Sequence, residues 1–423
     1  MARPRKRIAI VGGGVSGLGT AQLLRESHDV TLLEAQDRLG GHAWTLDLEL
    51  GMSTVPVDVG FLVFNNRNYP RFEALLAELG VGSRASDMSF SVSDGANFEY
   101  AGNGARGLFA NPRHLADPRF VRMVAEYVRF NRDARALLDS DADPSLRAWL
   151  RELGYSQYFV DRLIVPQASA VWSADPEQMW TFPARFLVQF FSNHGLLGFR
   201  DRPQWRTVVG GSVRYVEAIA RRLGDRVRLG AEVIAVARDT DGVTVTVAGQ
   251  EPERFDEVVL ACHSDQALAL LTDSSRLERE LLGAIPYLPS ELVLHTDTRL
   301  MPRRRAAWAS WNAHYLEAAR GNPAVTYWLN NLQGHQLDRE LLATLNLSDR
   351  IDPAKVIATL PVAHPTYTPE GLRTQARHAE ISGVDRTHYA GAYWSWGFHE
   401  DGVESAHRVA AALLAVEPER VAA

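Results

Sequence analysis

A chain of 423 residues exceeds what one hydrophobic core usually supports, so two domains are expected. Its formal charge of −6 argues against a nucleic-acid binder, which needs a basic face to neutralise phosphates, and its single cysteine, Cys262, excludes an intramolecular disulfide or a thiolate metal cluster. Lys6 and Lys355 are the only lysines, which withdraws lysine from almost every catalytic role.

The start, MARPRKR, is basic, but the apolar run behind it is broken by glycines at 12 to 17, so no targeting segment is read there. No apolar run reaches the roughly eighteen residues of a membrane span, and the expected location is the reducing cytoplasm. Residues 8–11, IAIV, suit a strand buried on both faces of a parallel sheet. Gly12, Gly13, Gly14, Val15, Ser16 and Gly17 follow as G-x-G-x-x-G opening the helical stretch SGLGTAQLLRES. Gly12 permits the tight turn, Gly14 lets backbone approach a pyrophosphate, and Gly17 lets helix and strand pack closely. A second strand, HDVTLLEA, ends at Glu34 and Ala35, where the acid can accept ribose hydroxyls and would repel a 2′-phosphate.

Arg38, Gly40, Gly41 and His42 come next in EAQDRLGGHAWT, and with them the sequence resembles the flavin-containing amine oxidase and phytoene desaturase superfamily. The resemblance implies FAD, with the arginine near the pyrophosphate and the glycines near the flavin; His42 stands where amine oxidases commonly carry arginine. Further stretches resemble a narrower group, the flavoprotein-like domain fused to plant cyclopropane fatty acid synthases and its free-standing bacterial relatives. They are VDVGFLVFNNRNYP (57–70), SDMSFSVS (86–93), RPQW (202–205), AAWASWN (306–312), VTYWLN (325–330) and GFHEDG (397–402). That likeness implies a role near acyl-lipid modification, with a lipid methyltransferase as partner and a peripheral membrane contact.

The expected fold is α/β: a discontinuous Rossmann-like FAD-binding domain (1–75, 201–274, 385–423) and a substrate domain (76–200, 275–384) with a mixed sheet and a helical cap. PRFVRMVAEYVRFNRDARALL and LRAWLRELG read as cap helices, and DPSL (143–146) and IPYLP (285–289) as linkers. VVGGSVRYVEAIARRL resembles the superfamily's second glycine pair and helix, Val233 would lie beside the adenine, and DEVVLACHSDQAL returns the chain to the flavin around Ala261 to His263. ELVLHTD, AAWASWN, VTYWLN and KVIATLP read as strands of the second sheet. Trp308, Trp311, Tyr327 and Trp328 either pack it or line an apolar cavity.

In the last stretch, HYAGAYWSWGFHEDGVESAHRVAAALL, a strand runs to Gly391, a loop carries the aromatics and acids, and a helix begins at Gly402 and Val403. The resemblance implies that this helix meets the flavin pyrimidine with its N-terminus, and that Gly60 and Phe61 lie near the isoalloxazine. His399 and Glu400 are the catalytic candidates; His399 otherwise hydrogen-bonds backbone or flavin, and Glu400 and Asp401 otherwise cap the helix or accept from the flavin. His194 and His364 read as structural, and the histidine spacing predicts no metal site. The function expected is hydride transfer from an apolar, lipid acyl substrate to flavin N5, by dehydrogenation or isomerisation. The alternatives are amine oxidation and an accessory flavoprotein working beside a lipid methyltransferase.

Overall fold

Ile8, Ala9 and Ile10 have no exposed surface because their strand, Arg7–Val11, is the middle of a five-stranded parallel sheet. In the computed structural model, which describes residues 5–172, 180–198, 202–315 and 324–415, its order is Val227–Arg228, Asp29–Leu33, Arg7–Val11, Glu257–Leu260, Thr387–Tyr389. Ile10 pairs with Leu32 on one side and Val259 on the other. The strands come from three separate stretches of chain.

Six helices position the site: α1 (Val15–Leu24), α2 (Pro70–Leu79), α3 (Pro118–Leu138), α4 (Ala184–Asn193), α5 (Val213–Leu223) and α6 (His399–Leu414). Leu18 and Leu24 of α1, Phe72 of α2, Tyr215 and Ile219 of α5, and Val403 and Val409 of α6 share one core against one face of the parallel sheet. The other face carries an antiparallel layer, Val233–Arg238, Val243–Val247 and Glu253–Phe255.

The second half is a seven-stranded mixed sheet, in the order Val356–Pro365, Tyr287–His295, Leu342–Leu345, Val325–Trp328, Trp311–His314, Phe90–Ser93, Glu99–Ala101. One pair, Phe90–Ser93 with Trp311–His314, is parallel and the rest are antiparallel. Helices α3 and α4 pack over one end. α3 starts at Pro118 with the Asp117 carboxylate accepting from the Arg119 N–H, and it buries Phe120, Met123 and Phe130 against Trp149, Phe159 and Phe191.

Four local expectations are corrected. Trp308 lies outside any strand, because the Asn312 side chain bonds Ala309 N and O and closes a turn, so the strand starts only at Trp311. IPYLP is no linker: Tyr287 opens the strand Tyr287–His295, and Pro289 is tolerated because that end pairs on one side only. DPSL is a helix start, with Ser145 Oγ accepting from Ala148 N. Finally, α6 begins at His399 rather than Gly402, so His399, Glu400 and Asp401 form its first turn.

Candidate functional site

The glycine turn is built for close approach. Gly12 has φ +108°, and a Cβ there would meet the Ala261 carbonyl oxygen at 2.8 Å; at Gly17 a Cβ would collide with the Gly12 carbonyl. Above Gly14 there is nothing within 4 Å. Gly14 is also the N-cap of α1, with no side-chain cap and no acid in the first turn, so the N–H groups of that turn lack an acceptor from the helix itself. An open, uncapped helix N-terminus behind a glycine turn suits a diphosphate. Glu34 lies under the turn, accepting from Gly13 N at 2.6 Å and Gln36 N at 2.8 Å. Each oxygen keeps a second lone pair for a ribose hydroxyl. Ala35 is exposed beside it, and Val233 is buried at the start of the neighbouring antiparallel layer.

The segment Gly40–Trp44 closes over the turn. Gly40 N donates to the Gly13 carbonyl, and a Cβ on Gly41 (φ +56°) would come within 3.2 Å of Gly14 Cα. Arg38 folds over Trp44 with its guanidinium 3.9 Å from the ring centre and donates to the Gly41 carbonyl. Phe61 N bonds the His42 carbonyl, and a Cβ on Gly60 would strike that same oxygen. Behind this lies a buried carboxylate that the sequence did not single out. Asp58 accepts from Thr45 Oγ1, Ser212 N and Ser212 Oγ, tying the second glycine pair to the first; burial raises its pKa.

Three imidazoles meet where the two halves face each other. His42 lies 5.2 Å from His364 and 6.2 Å from His263, and His263 stacks on Tyr287 at 4.2 Å. His42 keeps accessible surface although its ring is closely surrounded, which marks a side chain lining an internal cleft. Burial, then the neighbouring imidazoles, push its pKa down to about 3; burial and His263 push His364 to about 4. Both are neutral at physiological pH, and the buried His364 Nδ1 has no hydrogen-bond partner. Among the described residues no group is arranged to hold a metal ion.

The residues 391–402 distribute themselves between three cores. Tyr393 and Trp394 pack beneath the parallel sheet. Trp396 and Phe398 turn toward the cap, with Trp396 stacked on Phe186 at 4.3 Å and Phe398 against Phe190 and His194 at 5.3 Å each. His399 points the other way. It stacks on Phe61 at 3.6 Å, shares a 2.7 Å hydrogen bond with the Tyr215 hydroxyl, and is held neutral by burial, its pKa about 3. Both Glu400 oxygens accept from Arg71 N and Phe72 N at 2.9 Å, capping α2. Asp401 accepts from Phe398 N at 2.8 Å, so it caps α6 from inside the first turn rather than from before it. Gly391 N donates to Ser405 Oγ, Val403 is buried, and Gly402 packs on α1 at Val15 and Ser16. The N-termini of α1 and α6 therefore adjoin.

The predicted cofactor residues from Gly12 to Gly60 and from Ala261 to Val403 are thus brought to one turn and the elements closed around it. The two catalytic candidates sit in the packing between α2, α5 and α6. Sequence reasoning treated His364 as structural and did not single out Tyr287; the docking of the two halves brings them to the cleft, His364 against His42 and Tyr287 against His263.

The family model described as flavin containing amine oxidoreductase matches residues 15–357. A Mycobacterium tuberculosis protein named as a flavin-containing monoamine oxidase, AofH, is 29% identical over 252 residues, 56% of this chain and 53% of that protein. The match therefore spans about half the length of that relative. Cyclohexylamine oxidase from Brevibacterium oxydans superposes with TM-score 0.71 at 18% identity, covering 97% of this chain and 99% of that one. A fatty acid isomerase from P. acnes that produces CLA superposes with TM-score 0.66 at 14% identity and the same coverage. At such identities these two likenesses show the fold alone.

Proposed function

Since the chain belongs to the flavin-containing amine oxidoreductase family, with FAD as its cofactor, we propose that it dehydrogenates or isomerises an apolar, lipid acyl substrate. When bound, FAD supplies a hydride acceptor at N5. The glycine turn and the first turn of α1 would hold its diphosphate, Glu34 its ribose, and the adjoining N-terminus of α6 would favour negative charge on the pyrimidine.

The observation that carries the acyl reading is the aromatic wall formed by Phe186, Phe190, Trp396 and Phe398 between α4 and the start of α6. It offers apolar contact along its length, and the histidine beside it, His194, is neutral with a pKa pushed to about 4 by burial. Such a wall orients a methylene chain. The lysines point the same way. Lys6 is paired with Glu257 and Lys355 with Asp297, so neither reaches the cleft where amine oxidation would use one. His42 and His364 are uncharged at the cleft, and with pKa values pushed to about 3 and 4 they serve there as neutral hydrogen-bonding groups rather than as strong bases. A lipid methyltransferase partner follows from the likeness of the GFHEDG and VDVGFLVFNNRNYP stretches to the plant synthase domain.

Mass analysis of acyl chains, with their double bonds located by fragmentation, after incubation with unsaturated or methylated phospholipids tests the proposal. Loss of two hydrogens or a shifted double bond is the expected product. Unchanged acyl chains together with oxidation of a simple amine would replace it with amine oxidase activity.

A further inference from the structure

The cap joins basic charge to exposed apolar side chains on one helix. Between residues 105 and 138 there are seven arginines and three acids, a formal charge of +4 within a chain whose total is −6. The acids are engaged locally: Asp117 with Arg119, Glu126 with Arg122, and Asp133 with Arg129 and Arg132. Arg106, Arg113 and Arg135 form no ion pair among the described residues and are exposed. The same stretch exposes apolar side chains. Val121 and Val128 of α3 are 48% and 54% exposed, with Ala125 between them at helical spacing, and Leu115 just before α3 is 63% exposed. The opposite side of the same helix is buried, and this face has no partner among the described residues.

We infer that this face of α3 docks the protein on an anionic lipid bilayer. Exposed branched side chains enter the headgroup boundary while arginines, with apolar stems and charged heads, meet lipid phosphates. The net positive charge of this region, joined to exposed apolar side chains on the same helix, is the complementarity that fits an anionic lipid surface. The face also leads to the proposed site. Arg185 of α4 donates to the carbonyls of Leu137, Leu138 and Ser140 at the end of α3, and with Phe186, Gln189, Leu372 and Trp396 it lines a surface groove. Phe186 and Trp396 are part of the aromatic wall, so an acyl chain leaving the bilayer beside α3 meets that wall. The docking surface itself goes beyond the acyl reading and does not require it.

Co-sedimentation of the flavin-loaded protein with vesicles of phosphatidylcholine, with and without phosphatidylglycerol, tests the inference. The wild type should pellet with the anionic vesicles only, and less so at high salt. The double variant Arg113→Glu/Arg135→Glu should lose at least about 30-fold in partitioning, since each basic residue near such a surface contributes substantially. Val121→Asp/Val128→Asp should lose binding too, and both should keep the parent's flavin spectrum and melting temperature. Equal binding to both vesicle types, no binding of the wild type, or unaltered binding of both variants overturns the inference. An acidic protein captured in place of vesicles would do so too. A protein that binds anionic vesicles but leaves their acyl chains unchanged keeps the surface and loses the acyl substrate.

Discussion

Gly402 in the first turn of α6 rests against Val15 in the first turn of α1: a Cβ on Gly402 would lie 2.5 Å from Val15 Cγ1 and 3.1 Å from Ser16 Oγ. Both helices point their N-termini to the same place because this position has no side chain. The glycine is required by helix packing before any ring is considered.

Gly402→Val therefore acts on the protein itself. Overpacking at a tight contact costs about 1–3 kcal/mol, so the flavin-free variant should melt several degrees lower than the flavin-free parent. Calorimetry of both apoproteins measures this. An unchanged apoprotein that fails to retain flavin would instead place the clash with the ring alone.

Glu34→Ala should weaken FAD binding by about 1–3 kcal/mol, the range for a hydrogen bond to a charged group. It also leaves Gly13 N and Gln36 N without their acceptor, so the apoprotein should lose stability as well. Flavin fluorescence titration reads the first effect and thermal melting the second.

Glu400→Ala should cost about 0.5–2 kcal/mol of stability through the lost cap on α2, because both carboxylate oxygens hold α2 backbone N–H groups. Flavin reduction by substrate should keep its rate. A rate lowered about 100-fold with stability intact would assign the carboxylate to the chemistry instead.

Two buried groups give opposite pH dependences. His399 has its pKa lowered from 6.5 to about 3, so its contribution is full above about pH 6.5 and is lost as pH falls toward 3. His399→Gln should accordingly lose less stability than the parent between about pH 7 and pH 4, by about 2–3 kcal/mol. Asp401 has its pKa raised from 3.8 to about 6, so its contribution is full below 3.8 and is lost as pH rises through 6. Asp401→Asn, whose Oδ1 can still accept from Phe398 N, should gain on the parent by about 1–3 kcal/mol as pH rises from about 4 to 7. Denaturant titrations at several pH values check both slopes.

The strand, glycine turn, helix, strand and terminal acid at residues 8–34 were legible because each depends on local spacing and on glycine's lack of a side chain. The start of α6 was read one turn late, since Gly402 looks like a helix start, whereas Asp401 reaches back to Phe398 N and begins the helix at His399. The meeting of His42 with His364 was not legible. It depends on the register of Tyr287–His295 against Val356–Pro365 and on the docking of two sheets, neither of which local pattern encodes. The same limit hid the direction of His399, whose partner Tyr215 comes from a distant helix.

Flavin absorbance under anaerobic conditions, recorded while the loaded protein meets phospholipid vesicles or a simple primary amine, tests the acyl reading most directly. The aromatic wall of Phe186, Phe190, Trp396 and Phe398 and the absence of a lysine from the cleft predict that unsaturated or methylated phospholipid bleaches the flavin when it is dehydrogenated, or perturbs the flavin spectrum without lasting bleaching when it is isomerised, and that the amine does neither. Rapid bleaching by the amine, with no change on adding any lipid, would contradict it.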